Sequence, residues 1–159
     1  MANPQAHTGI RYTRPSVTVY TDGACQNNGL TNPRAGIGGV FVECPHLNFS
    51  LRCPGRQSSN SAEIHAANHA VYLAKKAGYG NITIWTDSEF VINCMHWKGN
   101  WKVNGWRKAN GELVENREEL QLLDQSVQGV HVSFEYVPGH SGNRYNELAD
   151  CLARDGCSR

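Results

Sequence analysis

The sequence predicts an α/β fold, a mixed sheet of five strands with helices on both faces. Three observations predict it. Residues 17–21 (VTVYT) and 82–86 (ITIWT) alternate apolar and polar side chains with the period of a strand. Three strand-like segments come first, and helical spacings then alternate with the later strands. The resulting order, β-β-β-α-β-α-α-β-α, begins with an antiparallel meander. It continues through crossovers, which are right-handed and make neighbours parallel.

Residues 17–21 form the first strand. Residues 35–43 (AGIGGVFVE) and 48–53 (NFSLRC) form the second and third, with Pro45 and His46 in the turn between them. Residues 61–76 are helical, because Ile64, Ala67, Val71 and Ala74 recur on one face; Gly78 and Gly80 stop the helix. Residues 82–86 are the fourth strand. Residues 88–95 form a short helix with Phe90, Val91 and Cys94 apolar, and 116–128 another with Leu120, Leu123 and Val127 together. Val130, Val132, Phe134 and Tyr136 alternate through a fifth strand, and residues 143–154 form the last helix. Residues 1–15 carry Arg11, Arg14, two prolines and no acid, and are expected to be a disordered lead or linker. Residues 16–159 are left as one domain.

Bulk composition excludes several classes. A chain of 159 residues buries about two-thirds of its unfolded surface and needs no staple. The net charge of +1 speaks neither for nor against a nucleic-acid partner. No apolar run approaches the ~20 residues of a membrane span, and no secretory core is visible. The six cysteines form no CxxC pair and the seven histidines are dispersed, which argues against a zinc framework. The expectation is free thiols in an intracellular, reducing compartment.

Four acids stand out: Asp22, Glu63, Asp87 and Asp150. Taken singly, each has a plain structural reading. Asp22–Gly23 is a hairpin-turn signal. Glu63 stands three residues after Asn60, where a capping-box acid sits. Asp87 suits the N-cap of the following helix. Asp150 has Arg154 four residues on, an i,i+4 ion pair. Their joint placement points elsewhere. Asp22 and Asp87 each end a strand, where strands disfavour Asp and where open α/β sheets bind ligands. Carboxylates that converge need a cation between them, and a hard divalent metal is the usual one.

A second cluster lies between residues 97 and 108. Lys98, Lys102, Arg107 and Lys108 alternate with Trp97, Trp101 and Trp106, and no acid intervenes. Cations attract phosphates, and aromatic faces stack on sugars or bases.

Longer motifs enclose the acids: Tyr20-Thr-Asp-Gly23, Pro54-Gly-Arg-Gln57 with Ala62-Glu63, Trp85-Thr-Asp-Ser88, and Val137-Pro-Gly-His-Ser-Gly142 with Asn146-Glu-Leu-Ala-Asp150. In this order and spacing, over nearly the whole chain, the sequence resembles ribonuclease H of type 1, closest to the cellular eukaryotic catalytic domain. The resemblance implies a ribonuclease H-like fold and a monomeric, metal-dependent endoribonuclease. Such an enzyme cuts the RNA strand of RNA–DNA hybrids to 5′-phosphate and 3′-hydroxyl ends. It implies two Mg²⁺ ions, replaceable by Mn²⁺, on Asp22, Glu63, Asp87 and Asp150, with His140 assisting water delivery, protonation or product release.

The same resemblance implies substrate contacts. Asn28, Gln57 and Asn60 match minor-groove positions. Arg56, Ser58 and Asn116 match a pocket for a DNA-strand phosphate. Phe90, Trp97 and Trp101 match a channel against DNA sugars, and Lys98, Lys102, Arg107 and Lys108 a basic protrusion. Ser59, Glu89 and Tyr145 depart from the family's usual residues, and Glu147 is secondary. Among rivals, an integrase- or resolvase-type nuclease would lack the tryptophan-rich basic segment. A hybrid-binding module without catalysis would not keep all four acids. A domain of a retroelement polyprotein stays open.

Overall fold

Five strands build the centre of the computed structural model, which describes residues 14–159. They are β1 (Ser16–Gln26), β2 (Arg34–Phe41), β3 (Phe49–Arg52), β4 (Asn81–Thr86) and β5 (His131–Tyr136). Their order in the sheet is β3-β2-β1-β4-β5. Pairing is antiparallel within the meander and parallel from β1 to β4 and from β4 to β5, as the element order requires. The helices are α1 (Ser59–Lys76), α2 (Glu89–Val103), α3 (Arg117–Ser126) and α4 (Arg144–Gly156).

Side chains alternate across the sheet, so register tells which helix covers which face. Gly23 on β1 pairs with Ile37 on β2. A Cβ at Gly23 would run into Ala62 and Glu63 of α1, whereas Cβ atoms at Gly36 and Gly38 would run into α4. Hence α1 lies on one face and α4 on the other. Helices α2 and α3 join α1, sharing one core in which Val19, Ile64, Ala67, Val71, Ile84, Val91 and Leu123 are buried.

Several boundaries differ from the sequence reading. Strand β1 runs five residues past Thr21, so Asp22 lies inside a strand and Asp22–Gly23 is no hairpin turn. Pairing with β2 carries it on: Asp22 stands opposite Gly38 and the ladder continues to Gln26 opposite Arg34. Ser58, not Asn60, caps α1, its hydroxyl accepting from the Ser61 N–H at 3.2 Å. Glu63 is therefore free of any capping-box role. Ser88, not Asp87, caps α2, accepting from the Val91 N–H at 3.1 Å. Helix α2 runs to Val103, so the tryptophan-rich segment is largely helical.

Of the expected lead, residues 1–13 lie outside the described residues. Arg14 and Pro15 are docked, not disordered: the Pro15 carbonyl accepts from the Gly80 and Asn81 N–H groups at 3.1 and 3.3 Å. The Arg14 guanidinium donates to the Gly129 carbonyl at 3.1 Å. All six cysteines are free. No helix among the described residues is long and apolar enough to cross a membrane.

Candidate active site

Parallel pairing of β1 and β4 ends at Thr21 opposite Thr86. Asp22 and Asp87 occupy the next step on each chain, so the sheet sets two carboxylates side by side. The third comes from α1. Because Gly23 has no side chain, α1 can lie directly on β1, and the Glu63 Oε1 accepts from the Gly23 N–H at 2.5 Å. One oxygen each from Asp22, Glu63 and Asp87 falls within 4.8 Å of the others.

Burial and mutual repulsion mark this cluster. Asp22 is 4% exposed. Loss of water pushes its carboxyl pKa far up, and Glu63, Asp87 and Asp150 push it further. Burial also pushes Glu63 up, reinforced by Asp87 and opposed by the Gly23 N–H bond. A cation among these oxygens would oppose both shifts. The donor set is all carboxylate oxygen, which suits a hard divalent ion.

Asp150 stands beside the tight set, not within it. It is close enough to raise the Asp22 pKa, while its Oδ2 pairs with the Arg154 guanidinium at 3.1 Å. The ion pair read from the i,i+4 spacing therefore forms as well. Asn146, one turn earlier on α4, is 3% exposed and donates to Asp87 Oδ2 at 3.4 Å. Its own Oδ1 is buried without a partner. The sequence places Asn146 at the head of the Asn146-Glu-Leu-Ala-Asp150 motif but assigns it no role; the available signal is an amide four residues before Asp150, sharing its helix face. Gly139 also abuts Asp87, since a Cβ there would sit 3.0 Å from Oδ2. The next residue, His140, is exposed in the left-handed region at φ 53°. The loop thus carries an imidazole past the acids.

The RNase H family profile matches residues 14–158. The chain belongs to the RNase H family. It is 44% identical to mouse Ribonuclease H1 over 149 residues, which is 93% of this chain and 52% of that protein. The chain thus spans about half the length of this mammalian relative. It is 35% identical to Clostridium botulinum Ribonuclease H over 87% of this chain and 93% of that one. A foamy viral protease-reverse transcriptase, solved in complex with RNA/DNA hybrid, superposes with a TM-score of 0.75 at 21% identity. That match covers 89% of this chain and 20% of the viral one, and shows a shared RNase H fold.

Beside the acids, this RNase H domain opens a cleft of about 460 Å³ lined by Asn28, Arg56, Ser58, Ser59, Asn60, Glu115 and Asn116. Five residues named from sequence, Asn28, Arg56, Ser58, Asn60 and Asn116, meet in it. Asn28 also accepts from the Ser59 N–H at 3.2 Å, tying the β1–β2 loop to the start of α1. Gln57 is placed differently. Its Oε1 accepts from the Ala35 N–H and the Arg52 Nε, both at 2.7 Å, and its Nε2 donates to the Cys53 and Gly55 carbonyls. It braces the loop before α1.

The basic segment is not a row of free cations. Lys98 and Lys102 both pair with Asp124 of α3, at 3.2 and 3.1 Å. Burial pushes the Asp124 carboxyl up, yet the two ammonium groups outweigh it and hold it below the ordinary range. Lys108 faces Glu112 and Glu115, and Arg107 donates to the Gly111 carbonyl at 2.9 Å. Trp97 is 51% exposed, whereas Phe90 and Trp101 rest partly on the core.

The three unusual residues have local explanations. Glu89 begins α2, where a negative charge is favourable at the helix N-terminus. Ser59 opens α1 and lines the cleft. Tyr145 stacks on Tyr20 with ring centres 5.4 Å apart, two residues before Asp22, with the Arg144 guanidinium over its ring.

Proposed function

We propose that this domain is an endoribonuclease that hydrolyses the RNA strand of RNA–DNA hybrids, leaving 5′-phosphate and 3′-hydroxyl ends. The observation that carries the reading is the convergence of Asp22, Glu63 and Asp87, the first two with raised pKa values, beside a cleft that holds a guanidinium and two helix N-termini. The family match supports it. So does the bacterial relative, which carries the name Ribonuclease H at close to the length of this domain.

Asp22, Glu63 and Asp87, with Asp150 at their side, fit two Mg²⁺ ions, for which Mn²⁺ can substitute. Bound there, the metal supplies activation of water and stabilisation of the leaving oxygen in an in-line displacement. The chain's own residues do the rest. Gly23 and Asn146 orient Glu63 and Asp87 by hydrogen bonds. His140, on its exposed turn, places an imidazole where it can pass a proton between water and product. In the cleft, Arg56, Ser58 and Asn116 bind a DNA-strand phosphate, while Asn28 and Asn60 contact the minor groove. Their amides both donate and accept, as reading a 2′-hydroxyl requires. Phe90, Trp97 and Trp101 take DNA sugars, and Arg107 and Lys108 add attraction to phosphates. The active unit is a monomer.

The test is incubation with an end-labelled hybrid, duplex RNA and duplex DNA, in Mg²⁺ or excess chelator. Cleavage confined to RNA in the hybrid, and abolished by chelator, is expected. Equal cutting of duplex RNA would overturn the reading.

A further inference from the structure

The cleft is held together by a residue that does not line it. Glu119, on α3 one turn beyond Asn116, uses both carboxylate oxygens inward. Its Oε1 accepts from the Asn116 Nδ2 at 3.1 Å. Its Oε2 accepts from the Ser61 hydroxyl and lies 3.5 Å from the His65 Nε2. Ser61 in turn donates its N–H to Ser58, the cap of α1. A continuous chain of contacts, Ser58–Ser61–Glu119–Asn116, thus joins the two helix N-termini that wall the cleft.

Asn116 shows what this costs and what it achieves. It is the N-cap of α3, yet its side chain makes no capping bond, and its backbone sits in the left-handed region at φ 59°. Asn tolerates that region better than most residues, but it remains uncommon. An asparagine that would ordinarily satisfy its own helix end has been turned away from it, and its amide is given to Glu119. The Nδ2 group has two hydrogens. Glu119 engages one, leaving the second for a ligand in the cleft. Glu119 is itself anchored: its side chain is 17% exposed and that of His65 is 11% exposed.

We propose that Glu119 is a positioning residue for phosphate recognition, fixing the Asn116 amide and, through Ser61, the Ser58 cap in the geometry that grips one DNA-strand phosphate. The proposal rests on the hybrid-nuclease reading above and adds to it the device that sets where along the DNA strand the enzyme takes hold.

The test uses hybrids whose DNA strand carries one neutral methylphosphonate, stepped along the duplex. For the unaltered protein, one position relative to the cut should raise KM about tenfold, the effect of losing a hydrogen bond to a charged group, with kcat little changed. Glu119→Ala should raise KM about tenfold on the all-phosphate hybrid and erase that position's penalty. Glu119→Gln keeps an acceptor for Asn116 and should restore most of it. In an Asn116→Ala background, Glu119→Ala should add nothing. Should Glu119→Ala fail to fold, Ser61→Ala carries the test and should reduce the same penalty. A full-sized penalty in these variants, or independent additive losses with Asn116→Ala, would overturn the proposal. If the unaltered protein cuts hybrids but no single phosphate matters, the proposal falls while the hybrid-nuclease reading stands. If it cuts no hybrid, both fall.

Discussion

Two clusters of like charge lie on this domain, and they are built on opposite terms. At the sheet, Asp22, Glu63 and Asp87 crowd together, no ion pair among the described residues includes them, and two of their pKa values are driven up. On α2 and the loop beyond it, the three lysines face acids, Lys98 and Lys102 pairing with Asp124 of α3 and Lys108 with Glu112 and Glu115 of its own loop. Within each cluster the sequence shows charges of one sign: Asp22, Glu63 and Asp87 in one, and Lys98, Lys102, Arg107 and Lys108 in the other. Only the tertiary fold separates them. A compensated cluster is affordable as structure. An uncompensated one is destabilising in the bare protein and points to a ligand that compensates it. The comparison therefore locates chemistry at the acids and moderates the expectation for the basic segment.

The strongest way to break the comparison is at the acids themselves. Asp22→Asn or Asp87→Asn should lower hybrid cleavage in Mg²⁺ by well over the ~10–100-fold typical of losing a residue that only supports a metal ligand. Hybrid binding should be largely retained. A kinetic assay with a parallel binding measurement decides it, and near-normal turnover in either variant would remove the acids from the reaction.

Gly23 sharpens the same point without touching a carboxylate. A methyl group there meets α1 backbone, which cannot move aside as a side-chain tip can. Gly23→Ala should destabilise the domain by about 1–3 kcal/mol, the range for overpacking. It should also lower cleavage strongly by shifting Glu63. Denaturant unfolding beside a turnover assay checks both, and a stable, fully active variant would show that close approach of α1 is not needed.

The uncompensated cluster also makes a pH prediction. In the unfolded chain these acids titrate near pH ~4. In the fold, Asp22 and Glu63 hold their protons to higher pH. Between those limits the folded state binds more protons than the unfolded state, so stability falls as pH rises, by at most about 1.4 kcal/mol per pH unit for each group. Metal-free protein should lose Tm from pH 5 to pH 9. Mg²⁺ should flatten the decline, and Asp22→Asn should remove much of it. Calorimetry with chelator and with Mg²⁺ tests this; a Tm independent of metal across the range would show that the acids are compensated within the protein.

How much of this was legible in the sequence follows from where each constraint originates. The three-strand meander, the crossover order and the buried face of α1 are local periodicities, and they were readable. So was the convergence of Asp22 with Asp87, because each directly follows a strand run. The continuation of β1 through Asp22 and Gly23 was not. Both residues are poor strand formers, and only pairing with β2 and the close approach of α1 explains them. Helix α2 was read short because, of its 15 residues, only Val91 and Cys94 are buried, too few to set a period. The roles of Asn146, Glu119 and Asp124 were not legible for one shared reason. Each acts on a residue of another element or loop, Asp87, Ser61 or the two lysines, and no local pattern records such a pairing.

The smallest expected effect is at the compensated cluster. Each phosphate contact made by a free cation contributes roughly 0.7–0.9 to the slope of log affinity against log salt. Lys98 and Lys102 share Asp124, whose carboxylate is mostly buried on α3, so part of their charge is already spent within the protein. Replacing both lysines by alanine should therefore reduce the slope by less than the ~1.4–1.8 expected for two free cations. Asp124→Asn should do the reverse. It keeps a hydrogen-bond acceptor of similar shape but removes the competing charge, so the slope should steepen by up to about 1–2 and hybrid binding should tighten at low salt. Thermal unfolding in parallel separates this from loss of the α2–α3 contact. If the double lysine variant loses the full slope of two free cations while Asp124→Asn changes nothing, the lysines exchange Asp124 for phosphate on binding. The basic segment would then be a reserve of charge released by the hybrid, and the contrast with the acid cluster would narrow to a difference in which ligand each awaits.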